Sequence, residues 1–366
     1  MHQKVRISSG QFSILVMLNT IGTTILIVPA GLAAEAKQDA WIPAILGIGI
    51  GLIVITLHNA VGSLFPEMTF VEYCKKILGK WAGSLVSIGF IYFSFIGAST
   101  LVWVMGNFLV SQIMPETPTN VIYIFFVMVV VYGLRLGLEP IARCAEIFLP
   151  WVVIFFLLLV LLPLPEVDFK NLQPVFDTTP TPIIRGTLSF LSVATMPLIV
   201  FQMVVPNGKR SKRTNKAFYI GNLSGNFILI TITLLTILVL GAELTARNNF
   251  PSFVLAKKVT ITGFLERIEV IMALLWFLTI YFKTSSYCYA CLKGLAQLFA
   301  LKDYNILTFP FGMTLIAYSM IIYPNVTYAV EWDTKTWIPY SIMYGIFLPL
   351  FLYIVALIRK KKWTQK

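Results

Sequence analysis

Three stretches of this sequence carry residues able to hold a small charged molecule. They are Gly22-Thr23-Thr24 with Pro29 and Gly31 beyond, the cluster Ser189, Ser192, Ala194, Thr195 and Pro197, and the lone Lys283 within WFLTIYFKTSSYCYAC. Each lies inside a long apolar run. Glycine and threonine are poor helix formers, and glycine lets a backbone leave helical geometry cheaply. In hydrocarbon a free N–H or C=O is costly, so a broken helix survives only where it lines a protein-walled cavity. Such a break points two half-helix ends at one gap, the N–H end suited to a carboxylate and the C=O end to an ammonium. For the first stretch taken alone, an ordinary spanning helix with a packing glycine is an equal reading. Lys283 is a site if it faces protein or water, and a snorkelling residue if it reaches the inner interface. Thr284, Ser285 and Ser286 beside it supply hydroxyls that serve either reading.

The elements that must position these groups are membrane helices. Of the 366 residues, 58% are hydrophobic and only 12% charged, and the mean hydropathy is +0.83; soluble domains carry about twice that charge. The apolar runs read as ten spans, at about 11–34, 41–65, 83–113, 119–136, 141–162, 182–206, 216–242, 264–299, 305–323 and 336–358. The start, with Lys4 and Arg6, runs straight into a full-length span and does not read as a cleaved leader. This is an all-α integral membrane protein, with the bilayer as its solvent.

The net charge of +12 falls in a few loops, so it marks membrane topology and gives no reason to expect nucleic acid. One set of alternate loops holds Lys75, Lys76, Lys80, Arg135, Arg143 and the KRSKR run Lys209–Arg213, and Arg359–Lys362 follows the last span. The other set holds most of the acids, so both termini are expected on the cytoplasmic side. In FPEMTFVEYCKKILGKWAG, Thr69 and Glu72 form a capping pair ahead of an apolar face of Phe70, Tyr73, Ile77 and Leu78. That segment reads as a short helix on the inner membrane surface or a solvated connector. Arg143 and Glu146 are three apart and placed to pair as an inner clamp, and Glu266 and Arg267 at the outer end of span eight suit a similar structural or gating role. Cys74, Cys144, Cys288 and Cys291 offer neither a disulfide framework nor a metal set. With two histidines and no hydrolase, zincin or P-loop pattern, no enzyme, cofactor or metal is expected.

Spans two and seven each carry a GxxxG, at Gly47/Gly51 and Gly221/Gly225, which lets helices approach closely. Two and seven correspond if ten spans form two repeats of five, about 11–162 and 182–358. On that scheme span six is the partner of span one. Its polar cluster at Ser189–Pro197 then matches Gly22–Pro29, and paired interruptions in two halves point to a transporter-type binding site.

Four stretches together resemble one family. They are IGTTILIVPAGLAAEAKQDAWI, FPEMTFVEYCKKILGKWAG, GLEPIARCAEIFLP and NFPSFVLAKKVTITGFLERIEVIMALLW. The chain looks like the B subunit of the spore germinant receptors, the spore permease family of endospore-forming bacteria. That family is similar to the amino-acid/polyamine/organocation transporters. The resemblance therefore implies a five-plus-five inverted-repeat fold of the LeuT type, with helices 1 and 6 broken. It implies a receptor for a small germinant, often an amino acid, in the spore inner membrane, assembled with an A subunit and a lipoprotein C subunit. By position it implies a pocket of Gly22, Thr23 and Thr24 on span one and Ala194, Thr195 and Met196 on span six. Phe93, Phe95 and Gly97 on span three and Thr284 and Tyr287 on span eight complete it. The family often has a Gly-Glu pair where this chain has Ala194–Met196, so an acidic contact from span six is not expected here.

The combined expectation is a ligand-sensing subunit on a transporter fold. An amino acid would set its carboxylate on the N–H groups near Thr23 and Thr24 and its ammonium near the carbonyls of Thr20 and Ile21. Met196, Phe93, Phe95 and Tyr287 would choose the side chain, and Lys283 would stand in for a coupling cation or act as a relay. A permease catalysing ion- or proton-coupled uptake is the rival expectation, because one fold supports both.

Overall fold

The computed structural model describes residues 7–205, 209–258 and 268–363, with side chains as far as Arg359. Among these residues all regular structure is helical. Span one is two helices, α1 (Ser9–Ile21) and α2 (Thr24–Ala36), bent by 46° across Gly22 and Thr23. Ser8 opens α1 with a capping box, accepting from Gln11 N while Gln11 Oε1 accepts from Ser8 N. The next elements are α3 (Trp41–Leu64), α4 (Phe70–Leu78), α5 (Lys80–Gln112), α6 (Thr119–Leu136) and α7 (Leu138–Leu161). Span six is α8 (Pro180–Ala194), which passes at Thr195 into the 3-10 stretch Met196–Met203. Then come α9 (Lys212–Arg247), the short α10 (Pro251–Lys258), α11 (Glu269–Leu298), α12 (Thr308–Ile321) and the last span, Val326–Arg359.

Among the described residues eight helices are long and apolar enough to cross a bilayer, and the bent α1–α2 pair makes a ninth. Helix α12 stands where the ninth of ten spans is expected. Its 14 residues make it about 21 Å long, short of the ~30 Å hydrocarbon core.

Both GxxxG motifs do pack helices, and they pack the two interrupted spans. A Cβ on Gly225 of α9 would stand 2.7 Å from Thr20 Cβ, and one on Gly221 would meet Ser13 O and Val16, so α9 lies tight on α1. On α3, Gly47 faces Phe190 and Gly51 faces Thr195, so α3 lies tight on the end of α8.

The capping pair ahead of α4 is present, with Thr69 N donating to Glu72 Oε2 at 2.8 Å. Its apolar face turns into the bundle: Phe70, Tyr73 and Ile77 are buried, and Phe70 stacks on Phe90 of α5 at 4.1 Å. The inner clamp is arranged differently from expectation. Arg143 pairs with Glu139 at 2.6 Å, one turn earlier, while Glu146 accepts from Gln11 Nε2 on α1 at 3.0 Å. Glu139 and Glu146 lie on opposite sides of Arg143 along α7, and the arginine turned to the former. Glu266 and Arg267 lie outside the described residues.

The KRSKR run is not wholly a surface loop. Arg210 is 5% exposed and its Nη2 donates to the carbonyls of Phe201, at 3.0 Å, and Val204, which close the 3-10 stretch. Burial pushes its guanidinium down to about 10, which leaves it charged at neutral pH.

Candidate ligand site at the two helix breaks

Each interrupted span also carries a proline that frees a carbonyl, within α2 in span one and at the break itself in span six. A helical carbonyl normally accepts from the N–H four residues on, and proline has none. Pro29 therefore frees the Ile25 carbonyl and Pro197 frees that of Val193. The first is taken by Ser252 Oγ of α10 at 2.6 Å. The second receives Thr24 Oγ1 at 3.3 Å and Lys283 Nζ at 3.1 Å. Lys283 Nζ also donates to Thr24 Oγ1 at 2.9 Å. One side chain from α11 thus joins the N-terminal end of α2 to the C-terminal end of α8.

Lys283 is 4% exposed, so it does not snorkel. Its stem crosses the break in span one. A Cβ on Gly22 would collide with Lys283 Cδ and stand 3.0 Å from Lys283 Cβ. Gly22 also has φ +22°, a backbone state that L side chains rarely adopt. Glycine here answers two demands at once: the turn between half-helices and the passage of the lysine.

At the start of α2 the capping is incomplete. Thr23 occupies the N-cap without a side-chain cap bond, and its buried Oγ1 has no partner. Thr284, next to Lys283 on α11, is fully buried and its Oγ1 likewise has no partner. Buried hydroxyls are normally satisfied, so these two, in the residues flanking the Lys283–Thr24 contact, are left with bonding capacity for a ligand or a water.

Break six is closed by protein groups. Asn222 Nδ2 of α9 donates to Thr195 Oγ1 at 3.2 Å, and Asn226 Nδ2 donates to Asn222 Oδ1 at 3.1 Å. Trp337 Nε1 from the last span donates to the Ser192 carbonyl at 3.1 Å. Met196 packs its Cβ and Cα over Gly345, also on the last span. Ala194 is buried at the end of α8.

Of the span-three residues, Phe93 and Gly97 belong together. Gly97 receives the ring of Tyr287, and Phe93 lies 6.5 Å from that ring by centroids. Phe95 does not join them. It packs on Phe311 and Tyr318, at 5.9 and 5.2 Å, and lines a lateral cavity of about 420 Å³ with Tyr92, Cys291 and Leu295. The reason is helical phase: residues two apart point about 200° apart, whereas 93 and 97 share a face. Reading outward from Phe93 finds groups that sequence reasoning missed. Phe93 stacks on Trp337 at 5.4 Å and 9° and on Tyr344 at 4.9 Å, with Tyr340 alongside at 5.3 Å. Trp337, Tyr340 and Tyr344 recur at helical spacing, and that aromatic stripe was the available signal.

A family described as spore germination protein matches residues 6–327. The chain belongs to that family. It is 28% identical over 367 residues to spore germination protein KB of Bacillus subtilis (strain 168), covering 98% of this chain and 97% of the relative. Its fold is that of LeuT-type transporters. A nucleobase-cation-symport-1 family transporter with bromovinylhydantoin bound superposes with TM-score 0.71 at 11% identity, over 94% of this chain and 78% of that one. MhsT in complex with L-phenylalanine superposes with TM-score 0.68 at 13% identity, over 97% of this chain and 99% of that one. The family member described here is therefore a multi-pass membrane protein with a transporter fold, broken at spans one and six.

Proposed function

We propose that this family member is the germinant-sensing subunit of a spore germinant receptor. It binds a small nutrient, an amino acid above all, between the broken spans, and signals the start of germination. The observation that carries the reading is the convergence of Thr24, Val193 and Lys283, with unpartnered hydroxyls of Thr23 and Thr284 beside them. A carboxylate docks on the open N-terminus of α2, where N–H groups and the helix dipole favour negative charge. Phe93 and Tyr287 supply an aromatic wall for an apolar side chain, and Met196 flanks break six. Ligand binding favours one closed arrangement of the two half-helix pairs, and that population shift passes to partner subunits. The A and C subunits of a germinant receptor are those partners. The membrane is the spore inner membrane, with both termini on the core side as the loop charges support. The two repeats are residues 11–162 and 182–358. No chemical step is assigned to the site.

The test is the germination of spores carrying Thr284→Leu against a panel of amino acids and sugars, with partner-subunit levels checked by immunoblot. The response to one germinant should weaken about tenfold or more, the worth of a lost ligand hydrogen bond, at normal subunit levels. An unchanged response to every germinant would remove the pocket from this place. The transporter fold favours a second reading, net uptake, which the purified protein in vesicles would show as accumulation of labelled amino acid.

A further inference from the structure

Val193 and Thr24 present two oxygens across the gap between half-helices: one a carbonyl freed by Pro197, the other a hydroxyl at the first residue of α2. Freed carbonyls at half-helix ends and nearby hydroxyls are the oxygen set that holds a small monovalent cation in broken-helix membrane proteins. Here the set is already filled by a covalently attached cation. An ammonium has three N–H groups. Those of Lys283 reach Thr24 Oγ1 and the Val193 carbonyl, and among the described residues no third acceptor and no carboxylate pairs with it. A buried charge without a counter-charge is costly, and such a group has bonding capacity for a partner arriving from elsewhere. The lysine stem is also built into the fold, because Gly22 leaves the space through which it passes.

We propose that Lys283 is a tethered cation at the ligand site. Its ammonium takes the place of a dissociable monovalent cation between α2 and α8, and offers its remaining N–H to the carboxylate of the ligand. This deepens the sensor reading above and rests on it for the carboxylate, but not for the cation. Two consequences follow. The ligand class is small molecules bearing a carboxylate. The joint between the half-helices needs no cation from solution, so occupancy reports the nutrient and not the ionic conditions around it.

The test begins without ligand. Thermal unfolding of the purified full chain in lipid nanodiscs is followed in sodium chloride, potassium chloride and N-methylglucamine chloride at equal ionic strength. The wild type should melt alike in all three. Lys283→Ala vacates the cation's place while leaving both oxygens, and should be stabilised by sodium, potassium or added methylammonium, half-maximally at about millimolar concentration. Lys283→Met fills the same space with a neutral stem and should show no such stabilisation. Lys283→Ala that folds only when one of these cations is supplied supports the assignment equally. A wild type that needs sodium, or a Lys283→Ala that fails to fold or responds like wild type in every salt, overturns it.

The second arm compares the twenty amino acids with the matching amines that lack the carboxylate. For an amino acid that binds, loss of its carboxylate, or Lys283→Met, should weaken binding about a hundredfold, as for a lost charge-assisted hydrogen bond. Equal binding of acid and amine overturns the carboxylate contact. If nothing in the panel binds the wild type, the amino-acid sensor reading and the carboxylate contact fail together, while the salt series still decides whether Lys283 replaces a cation.

Discussion

The break in span one and the break in span six look alike in sequence but are finished in opposite ways. At span six three groups at the break have protein partners: Thr195 takes Asn222, the Ser192 carbonyl takes Trp337, and the Val193 carbonyl takes Thr24 and Lys283, while Asn226 Oδ1 behind Asn222 has none. At span one the backbone turns through a positive φ at Gly22, the N-cap Thr23 caps nothing, and its hydroxyl is buried and unpartnered. Break six is thus largely closed by side chains of neighbouring helices. Break one is left incomplete, and on the function proposed above it is the one that carries recognition. Two interruptions that correspond in position need not share a role; what separates them is whether neighbouring helices supply the missing hydrogen bonds.

Substitutions at each break sharpen or break this contrast. The largest effect is expected at Gly22→Ala, which meets the lysine stem and a strained φ together; the germination response should fall about a hundredfold or vanish. A response within twofold would mean that the lysine moves aside freely and the joint is not fixed. Next is Thr195→Val, which strands the Asn222 amide. Thermal stability should drop by about 1–3 kcal/mol, the cost of an unsatisfied buried group. The response at matched protein level should nevertheless stay within about threefold, a shift under 1 kcal/mol. A full loss of response would mean that the Thr195 hydroxyl itself takes part in ligand binding. The smallest effect belongs to Phe95→Leu, on the lateral cavity with Phe311 and Tyr318. Its dose–response curve should overlay that of the wild type.

Much of this arrangement is legible in the residues. Glycine and threonine at 22–24 announce a break, and the prolines at 29 and 197 say which carbonyls are freed. The GxxxG pairs announce close approach, yet only the folded chain shows that α9 clasps span one and α3 clasps span six. The lysine was visible as a buried charge, but whether it snorkels depends on what stands within reach of its Nζ. Phase explains why Phe95 stands apart from Phe93 and Gly97, since a motif carried over by position ignores which face each residue takes. Partner choice explains Arg143, which had carboxylates within reach on both sides. The aromatic stripe Trp337, Tyr340 and Tyr344 reads as core by pattern alone, because only tertiary packing lays it on Phe93.

The most direct measurement pairs one isosteric change at each break: spores carrying Thr23→Val or Thr195→Val, dosed with the germinant at matched subunit levels. Removing an unpartnered hydroxyl costs little stability, so Thr23→Val should leave folding intact while raising the germinant concentration for half-maximal response about tenfold. Thr195→Val should shift it about threefold at most. Equal shifts, or a larger one at Thr195, would contradict the assignment of recognition to the break in span one.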